Sequence, residues 1–365
     1  MPGLESEAWA QGELIVETIR RRPVPRIPLT EICFWPETVE RWEREGLPRS
    51  CNLHEHFGLD RIGIYGPDLS PRRPRRVVGD DADTVVQVDE WGRTVQSLKQ
   101  TTATPVNLAY GVPDVTYLAA YMEQYAALDH RVIDPAQLQE YRQCREAGDF
   151  TAVSPMEPAW FVIEYLLGFE EGLMAFLSHP QEVSRAMHRF MDYSLRHLRW
   201  LIDEQGLRFD ALWFFADLCF KNGMLLPPAV YRELVLPLHR AYRQFCDEHE
   251  LLFMLHCDGD VRDFMPLVVE AGFDVIQPLE ARAGNDIRLL KPQWGDRITM
   301  MGNINADMIA NGGEEQIRHE VVSKLDAAMQ RGGYIYHIDH SVPPTISLAN
   351  YSLLIRLLKE NGVYR

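Results

Sequence analysis

Residues 251–255, Leu-Leu-Phe-Met-Leu, run directly into His256, Cys257, Asp258 and Gly259. An apolar run closed by ionisable side chains reads as a buried strand delivering groups into a site. His256 and Asp258 lie two apart, so an extended chain turns both to one face and Cys257 to the other. An imidazole and a carboxylate at that spacing can bind a divalent metal or work as an acid–base pair. A structural histidine is the competing reading. Gly259 either lets backbone approach a ligand closely or caps a helix. The pattern recurs: residues 333–336 lead into His337, Asp339 and His340, residues 273–276 lead towards Glu280, and residues 211–215 lead into Asp217. At most two of the residues at 337, 339 and 340 can share a centre, and His337 reads best as a core histidine. Pro343 and Pro344 stiffen the loop that presents His340.

Asp217 follows Trp213, Phe214 and Phe215. A carboxyl in apolar surroundings keeps its proton to higher pH, which suits a general acid or base; capping the Lys221-Asn222-Gly223 turn is the alternative. Glu280 is a further oxygen donor or the ion-pair partner of Arg282 or Lys291. Asn303 can donate hydrogen bonds to a ligand, or form a turn together with Asn305. Trp35 and Trp91, with Trp160 and Phe34, are candidates to line a substrate pocket, against a default of core packing. Nucleophilic serine or cysteine catalysis finds no GxSxG elbow, and neither a P-loop nor an HExxH stretch is present.

The elements that must position these groups alternate regularly in the second half. Strands are expected at 210–215, 251–255, 273–277, 297–301 and 334–338. Helices are expected at 227–248, 261–271, 285–294, 314–331 and 348–361, punctuated by prolines and glycines. Short strands alternating with longer helices indicate parallel βαβ units. No GxGxxG marks a first strand–helix turn, which weakens an open dinucleotide-binding sheet. Ionisable residues at the ends of several strands favour a single (β/α)8 TIM barrel. In the first half an amphipathic helix is expected over 5–22, a first barrel strand over 27–34 and a helix over 36–45. A hairpin, 84–90 with 93–98, turns at Trp91-Gly92, and helices follow over 115–127, 135–147, 160–177 and 183–204. The hairpin and extra helices read as insertions over one barrel face. With no linker or repeat, residues 1–365 are expected to form one domain.

Thirty-seven Lys+Arg against 53 Asp+Glu give a net charge of −16, which argues against a nucleic-acid footprint or an anionic membrane surface. Arg72, Arg73, Arg75 and Arg76, interleaved with prolines, read as a solvated connection. The six cysteines are scattered, the charged, amphipathic opening segment is not expected to be a signal peptide, and no apolar stretch approaches the roughly 20 residues of a membrane span. A reduced, cytoplasmic protein is expected.

From about residue 211 to 361 the chain resembles the uroporphyrinogen decarboxylase superfamily, which includes corrinoid-dependent methyltransferases such as the methylcobamide:thiol enzymes. The resemblance rests on an ordered set: Leu255-His256-Cys257-Asp258-Gly259, Glu270-Ala271-Gly272-Phe273-Asp274, Pro278-Leu279-Glu280, Gly295-Asp296-Arg297, Met301-Gly302-Asn303-Ile304, and His340 with Pro344 and Leu348-Ala349-Asn350-Tyr351. The first half is similar more loosely, through residues 22–28 and 166–169. The resemblance implies one (β/α)8 barrel. The true decarboxylases carry an RQAGR-like segment after the first strand, where this chain has Thr30-Glu31-Ile32-Cys33-Phe34-Trp35-Pro36-Glu37, without arginine. A polycarboxylate would meet Glu31 and Glu37 there, and like charges repel.

The thiol methyltransferases look closer. They hold zinc with an H-x-C pair and a later cysteine; Asp258 and His340 stand at the two cysteine positions here. The resemblance therefore implies a metal set of His256, Asp258, His340 and Glu280, with nitrogen and oxygen donors that suit Zn2+ and also accept Mn2+ or Fe2+. The leading expectation is a metal-dependent methyltransferase or demethylase with Asp217 and His340 as catalytic groups. It would pass a methyl group between a small substrate and a corrinoid carried on a partner protein, since no DxHxxG segment is present. A carboxy-lyase using His340 and Asp217 as acid and base is the alternative, followed by a non-catalytic corrinoid- or tetrapyrrole-binding protein. A homodimer is compatible with such a barrel.

Overall fold

The apolar runs of the second half become strands because they are covered on both faces. The computed structural model describes residues 10–100 and 105–364. Strands β1 (Ile62–Tyr65), β2 (Phe150–Val153), β3 (Ala211–Phe215), β4 (Leu252–His256), β5 (Val275–Gln277), β6 (Thr299–Met301) and β7 (Tyr334–Ile335) form one sheet in sequential order. Every pairing is parallel. An order that never reverses excludes the doubly wound alternative, whose hallmark is a switch point.

The two-residue period of the strands divides the core. Phe150, Ala152, Ala211, Trp213, Leu252, Met254, Val275, Met301 and Ile335 share one cluster with Ile15 and Ile19 of the N-terminal helix, Gln11–Ile19. The intervening residues Leu212, Phe214, Phe253, Leu255, Ile276, Met300 and Tyr334 pack into the other, larger cluster with the surrounding helices. The sheet is therefore curled, with a filled inner face and a helix-covered outer face.

The strand expected over 27–34 is not formed. Instead, Leu29 makes an isolated parallel bridge to Tyr336. Thr30 N–H donates to the Tyr336 carbonyl (3.0 Å) and Tyr336 N–H to that of Pro28 (2.9 Å), while Asp60 N–H donates to the Leu29 carbonyl (2.6 Å). Asp60 also takes the Leu29 N–H on its side chain at 2.7 Å. Residues 28–30 thus bond to Tyr336, just after β7, and to Asp60, two residues before β1, but Pro28 and this side-chain capture prevent a longer ladder.

Strands β1 and β2 are additions to the sequence reading. The expected hairpin is the inner pair of a four-stranded antiparallel sheet, Arg76–Asp80, Thr84–Val88, Thr94–Leu98 and Val106–Ala109. The helix expected over 160–177 breaks at Gly168, whose φ is 86°. Of the helix expected over 5–22, residues 5–9 lie outside the described chain. No helix among the described residues is long and apolar enough to cross a membrane.

Candidate metal and active site

His256 is the last residue of β4 and falls on the parity of Leu252 and Met254, so it continues the inner face at the sheet's C-terminal edge. Register puts Phe215 on one side of it and Gln277 on the other. Phe215 stacks on the imidazole at 4.9 Å between ring centres. Nδ1 of His256 and Oε1 of Gln277 are 2.6 Å apart. With the amide oxygen accepting, the proton resides on Nδ1 and the Nε2 lone pair is left facing the site.

That lone pair meets carboxylates. Nε2 lies 3.6 Å from Asp217 Oδ1 and 3.8 Å from Asp258 Oδ2. His340 Nε2 approaches the same Asp258 oxygen, also at 3.8 Å. The Asp258 N–H donates to Asp217 Oδ1 (3.0 Å) and the Gly259 N–H to Glu280 Oε2 (3.0 Å), so the ends of β3 and β5 hold the loop after β4. Burial pushes the Asp258 carboxyl upward, helped by Asp217 and Glu280 and opposed by His256 and His340.

Asp217, His256 and Asp258 each offer one donor atom within 4.8 Å of the other two. Asp258 Oδ1 is buried and has no hydrogen-bond partner. A buried carboxylate oxygen left without a donor is costly, and a ring nitrogen beside two carboxylates is suited by a proton on the imidazole or by a cation among the three groups. A divalent ion satisfies both conditions, and the donor set of one imidazole and two carboxylates suits one. Asp217 thus joins the metal-capable group rather than capping the turn at Lys221, while Glu280 holds Gly259 and stands 3.7 Å from Arg282.

Other sequence candidates lie elsewhere. Asn303 is a correction: it is buried, its side chain donates to the carbonyls of Leu279 and Asn285 and accepts from Ile287 N–H, so no donor remains for a ligand. Trp91 is a second: it is buried against Tyr165 and Phe190 in the core. Trp35 is half-buried and caps the Pro36–Arg44 helix, its N–H donating to Val342. His337 is a buried core histidine whose ring bonds the Ile338 carbonyl and accepts from Ile32 N–H. Asp339 is also structural, accepting from the N–H groups of Ala281 and Ala306 and so tying together the loops after β5 and β6. Cys257 is buried, and burial pushes its thiol far up, away from thiolate chemistry.

Three groups beside the site escaped sequence reasoning. Gln277 orients His256. Glu164, on the Trp160–Leu167 helix, has its carboxyl pushed up by burial and by nearby Asp217. Lys221 lines the cavity of about 460 Å³ that Asp217, Asp258 and Glu280 also bound. The signal was present for Gln277, which follows Val275 and Ile276 at the end of an expected strand; Glu164 lies inside an expected helix and Lys221 in a turn, so neither stands at a strand end.

The family described as Uroporphyrinogen decarboxylase (URO-D) matches residues 136–361. A uroporphyrinogen decarboxylase from Chlorobium limicola is 23% identical over 140 residues, covering 36% of this chain and 38% of that protein's length. Among solved structures, a methyltransferase from Methanosarcina mazei superposes with a TM-score of 0.63 at 14% identity, covering 96% of this chain and 99% of the other. At that identity the likeness is one of fold.

Proposed function

The chain belongs to the uroporphyrinogen decarboxylase family, and from that premise we propose that it is a metal-dependent enzyme moving a methyl group between a small substrate and a corrinoid carried by a partner protein. The observation that carries this reading is the buried, unpartnered Oδ1 of Asp258 beside a His256 Nε2 that the Gln277 contact leaves free. His256, Asp258 and Asp217 would hold the ion, with His340 and Glu280 at its margin. When bound, a divalent ion supplies Lewis acidity toward the heteroatom that bears or receives the methyl group.

The chain's own residues do the rest. Gln277 and Phe215 fix the imidazole plane. Asp217, by accepting the Asp258 N–H, keeps the two carboxylates in one orientation. His340, with its side chain 38% exposed, brings Nε2 to 3.8 Å from Asp258, where it can serve as a proton donor or acceptor. We take the sheet to close into a ring through residues 28–30, which would put these groups at one mouth of a barrel. Porphyrinogen decarboxylation fits poorly. Residues 30–37 contain no arginine, and the flanking ones are already engaged, Arg26 in a two-pronged contact with Asp60 at 2.6 and 2.8 Å and Arg41 with Glu45 at 2.6 Å.

A carboxy-lyase with His340 and Asp217 as acid and base is the second reading, favoured by the proximity of both imidazoles to Asp258. Elemental analysis separates the two. Wild-type protein grown with Zn2+, Mn2+ or Fe2+ is expected to retain one of them stoichiometrically, and His256→Ala or Asp258→Asn to lose it by about tenfold or more, at least the loss that follows when only a ligand's supporting partner is removed. Unchanged metal content in both variants sinks the metal site. Metal-bearing protein that fails to demethylate any methylated substrate with free corrinoid as acceptor, yet releases carbon dioxide from an acid, moves the assignment to the lyase.

A further inference from the structure

We propose that the end of the sheet opposite the candidate metal donors carries a phosphate-binding site, built around Arg21, that takes free phosphate or the phosphoryl group of a small ester. It goes beyond the function proposed above and does not depend on it, because it shares no residue with the donor set. Three segments remote in sequence meet there. Residues 20–22 close the N-terminal helix, with the Arg21 N–H donating to the Thr18 carbonyl at 3.0 Å. Arg331 and Gly332 lie just before β7, and Tyr364 donates its N–H to the Pro25 carbonyl at 3.0 Å. Between them is a cavity of about 360 Å³, bounded by arginines 21, 22 and 331, by Gly332, and by Pro23, Val24, Pro25 and Tyr364. No carboxylate is among these lining residues.

The ion pairs of this region leave Arg21 over. Arg20 and Arg22 share Glu17, at 3.5 and 3.0 Å, and Arg331 takes Asp296 at 2.6 Å. Among the described residues neither Arg21 nor Lys291 has a carboxylate within ion-pair distance. Lys291 is 1% exposed, and its ammonium donates to the carbonyls of Gly332 and, at 2.9 Å, Gly333. Burial, then Arg21 and Arg331, push its pKa down to about 8, against the pull of Asp296. A buried ammonium beside two guanidinium groups is an arrangement that a bound anion relieves. The Arg331–Asp296 pair is open to water on both sides, so it holds Arg331 only weakly. Arg21 itself is half-buried, and its stem is seated on Gly333, where a Cβ would come within 2.8 Å of Cγ and 3.3 Å of Cδ. The stem is placed by packing while the guanidinium stays uncommitted.

In a chain of net charge −16, a cavity with a free guanidinium, a second cation behind it and no carboxylate on its wall is a local reversal of field. The planar fork of arginine matches two phosphoryl oxygens at once, which a spherical anion cannot use. Pro23, Val24, Pro25 and the Tyr364 ring give an apolar surface for the organic part of an ester. Inorganic phosphate and phenyl phosphate serve as probes, titrated calorimetrically into the full chain in chloride buffer, as purified and again after EDTA. Both are expected to bind at one site, with or without EDTA. Phenyl phosphate about threefold or more tighter assigns the site to an ester, and equal affinity assigns it to free phosphate. Arg21→Gln should weaken both probes by about tenfold or more, Arg21→Lys should recover part of the loss, and Arg331→Gln should cost less than Arg21→Gln. Arg75→Gln removes an exposed arginine paired with Glu90 elsewhere and should change neither affinity. The site is overturned by an absence of saturable binding at millimolar phosphate, by unchanged affinity in Arg21→Gln, or by an equal loss in Arg75→Gln. It is also overturned if EDTA abolishes binding that Arg21→Gln spares, since phosphate then sits on the metal. His256→Ala should leave phosphate binding intact, so this site and the metal-dependent function fail separately.

Discussion

The carboxyl of Glu31 lies out of reach of solvent, accepting the hydroxyl hydrogens of Tyr336 at 2.5 Å and Tyr351 at 3.3 Å. Burial pushes its pKa up to about 8, and the hydroxyl bonds offset only part of that rise. Between the ordinary value of 4.5 and 8, the folded chain holds a proton that the unfolded chain has released. Stability from this group therefore falls as pH rises, by up to about 1.4 kcal/mol per unit. His337, pushed down to about 4 by burial, acts oppositely: the fold loses stability as pH falls from 6.5 toward 4. Glu31→Gln keeps an acceptor for Tyr336 and removes the titration. In urea unfolding the variant should gain on wild type progressively from pH 5 to pH 8, by roughly 1–3 kcal/mol at the upper end; stability curves that stay parallel would exclude Glu31 as the source. The same residue marks a limit of sequence reading. Glu31 was legible only as a negative charge, whereas three-dimensional burial makes it a neutral acid. Asp217, His256, Asp258 and His340 were legible because each follows an apolar run. Asn303 was misread because the carbonyls of Leu279 and Asn285 that consume its amide reach it only in the fold.

Among the elements, the strands that carry the site were the readable ones. Residues 211–215 and 252–255 are apolar through their length because both faces are covered, and that leaves a plain mark in sequence. Strand β1, Ile-Gly-Ile-Tyr, is half-exposed and interrupted by Gly63, which must be small because Cys144 Sγ would lie 2.7 Å from a Cβ there. Strand β2 is only four residues and follows directly on the end of a helix at Gly148. Neither offers enough pattern to be separated from loop. The small 219–224 hairpin was equally invisible, yet it forms one wall of the site. Its seat depends on Gly259, whose φ is 88° and whose missing Cβ admits the Phe220 backbone. Gly259→Ala adds both a left-handed strain and a backbone clash, and should destabilise the fold by roughly 1–3 kcal/mol. Because Asp258 precedes it, metal retention should fall as well. Unfolding midpoints and metal content measured on the same preparations check this, and a variant matching wild type in both would mean that the hairpin is free to retreat at no expense.

Across the whole molecule, stability and chemistry sit at opposite ends of the sheet. The N-terminal helix approaches the strands where they begin: the Gly12 N–H donates to the Gly148 carbonyl just before β2, and Thr299 Oγ1, at the start of β6, donates to the Ile19 carbonyl at 3.1 Å. Ile15 and Ile19 then complete the inner cluster from that side, while Phe215 and His256 cap it at the strands' C-terminal ends. The alternation of strand and helix made the parallel order legible, but nothing local in residues 11–19 says which sheet end their apolar face will plug. The arrangement gives two substitutions of the same inner core different consequences. Ile15→Ala removes fully buried methyl groups and should lower stability by about 2–4 kcal/mol, yet it lies beyond the reach of the donor set, so metal retained per folded molecule should equal that of wild type. Phe215→Leu changes volume little, and its stability loss should be smaller, near 1 kcal/mol, but it removes the surface on which the His256 ring stacks and should weaken metal binding by about tenfold. Urea unfolding together with competitive metal titration of the two variants tests the division. If Ile15→Ala loses metal in proportion to its lost stability, or Phe215→Leu loses stability without losing metal, the two ends are not energetically separate and the donor set is not positioned by the ring beneath it.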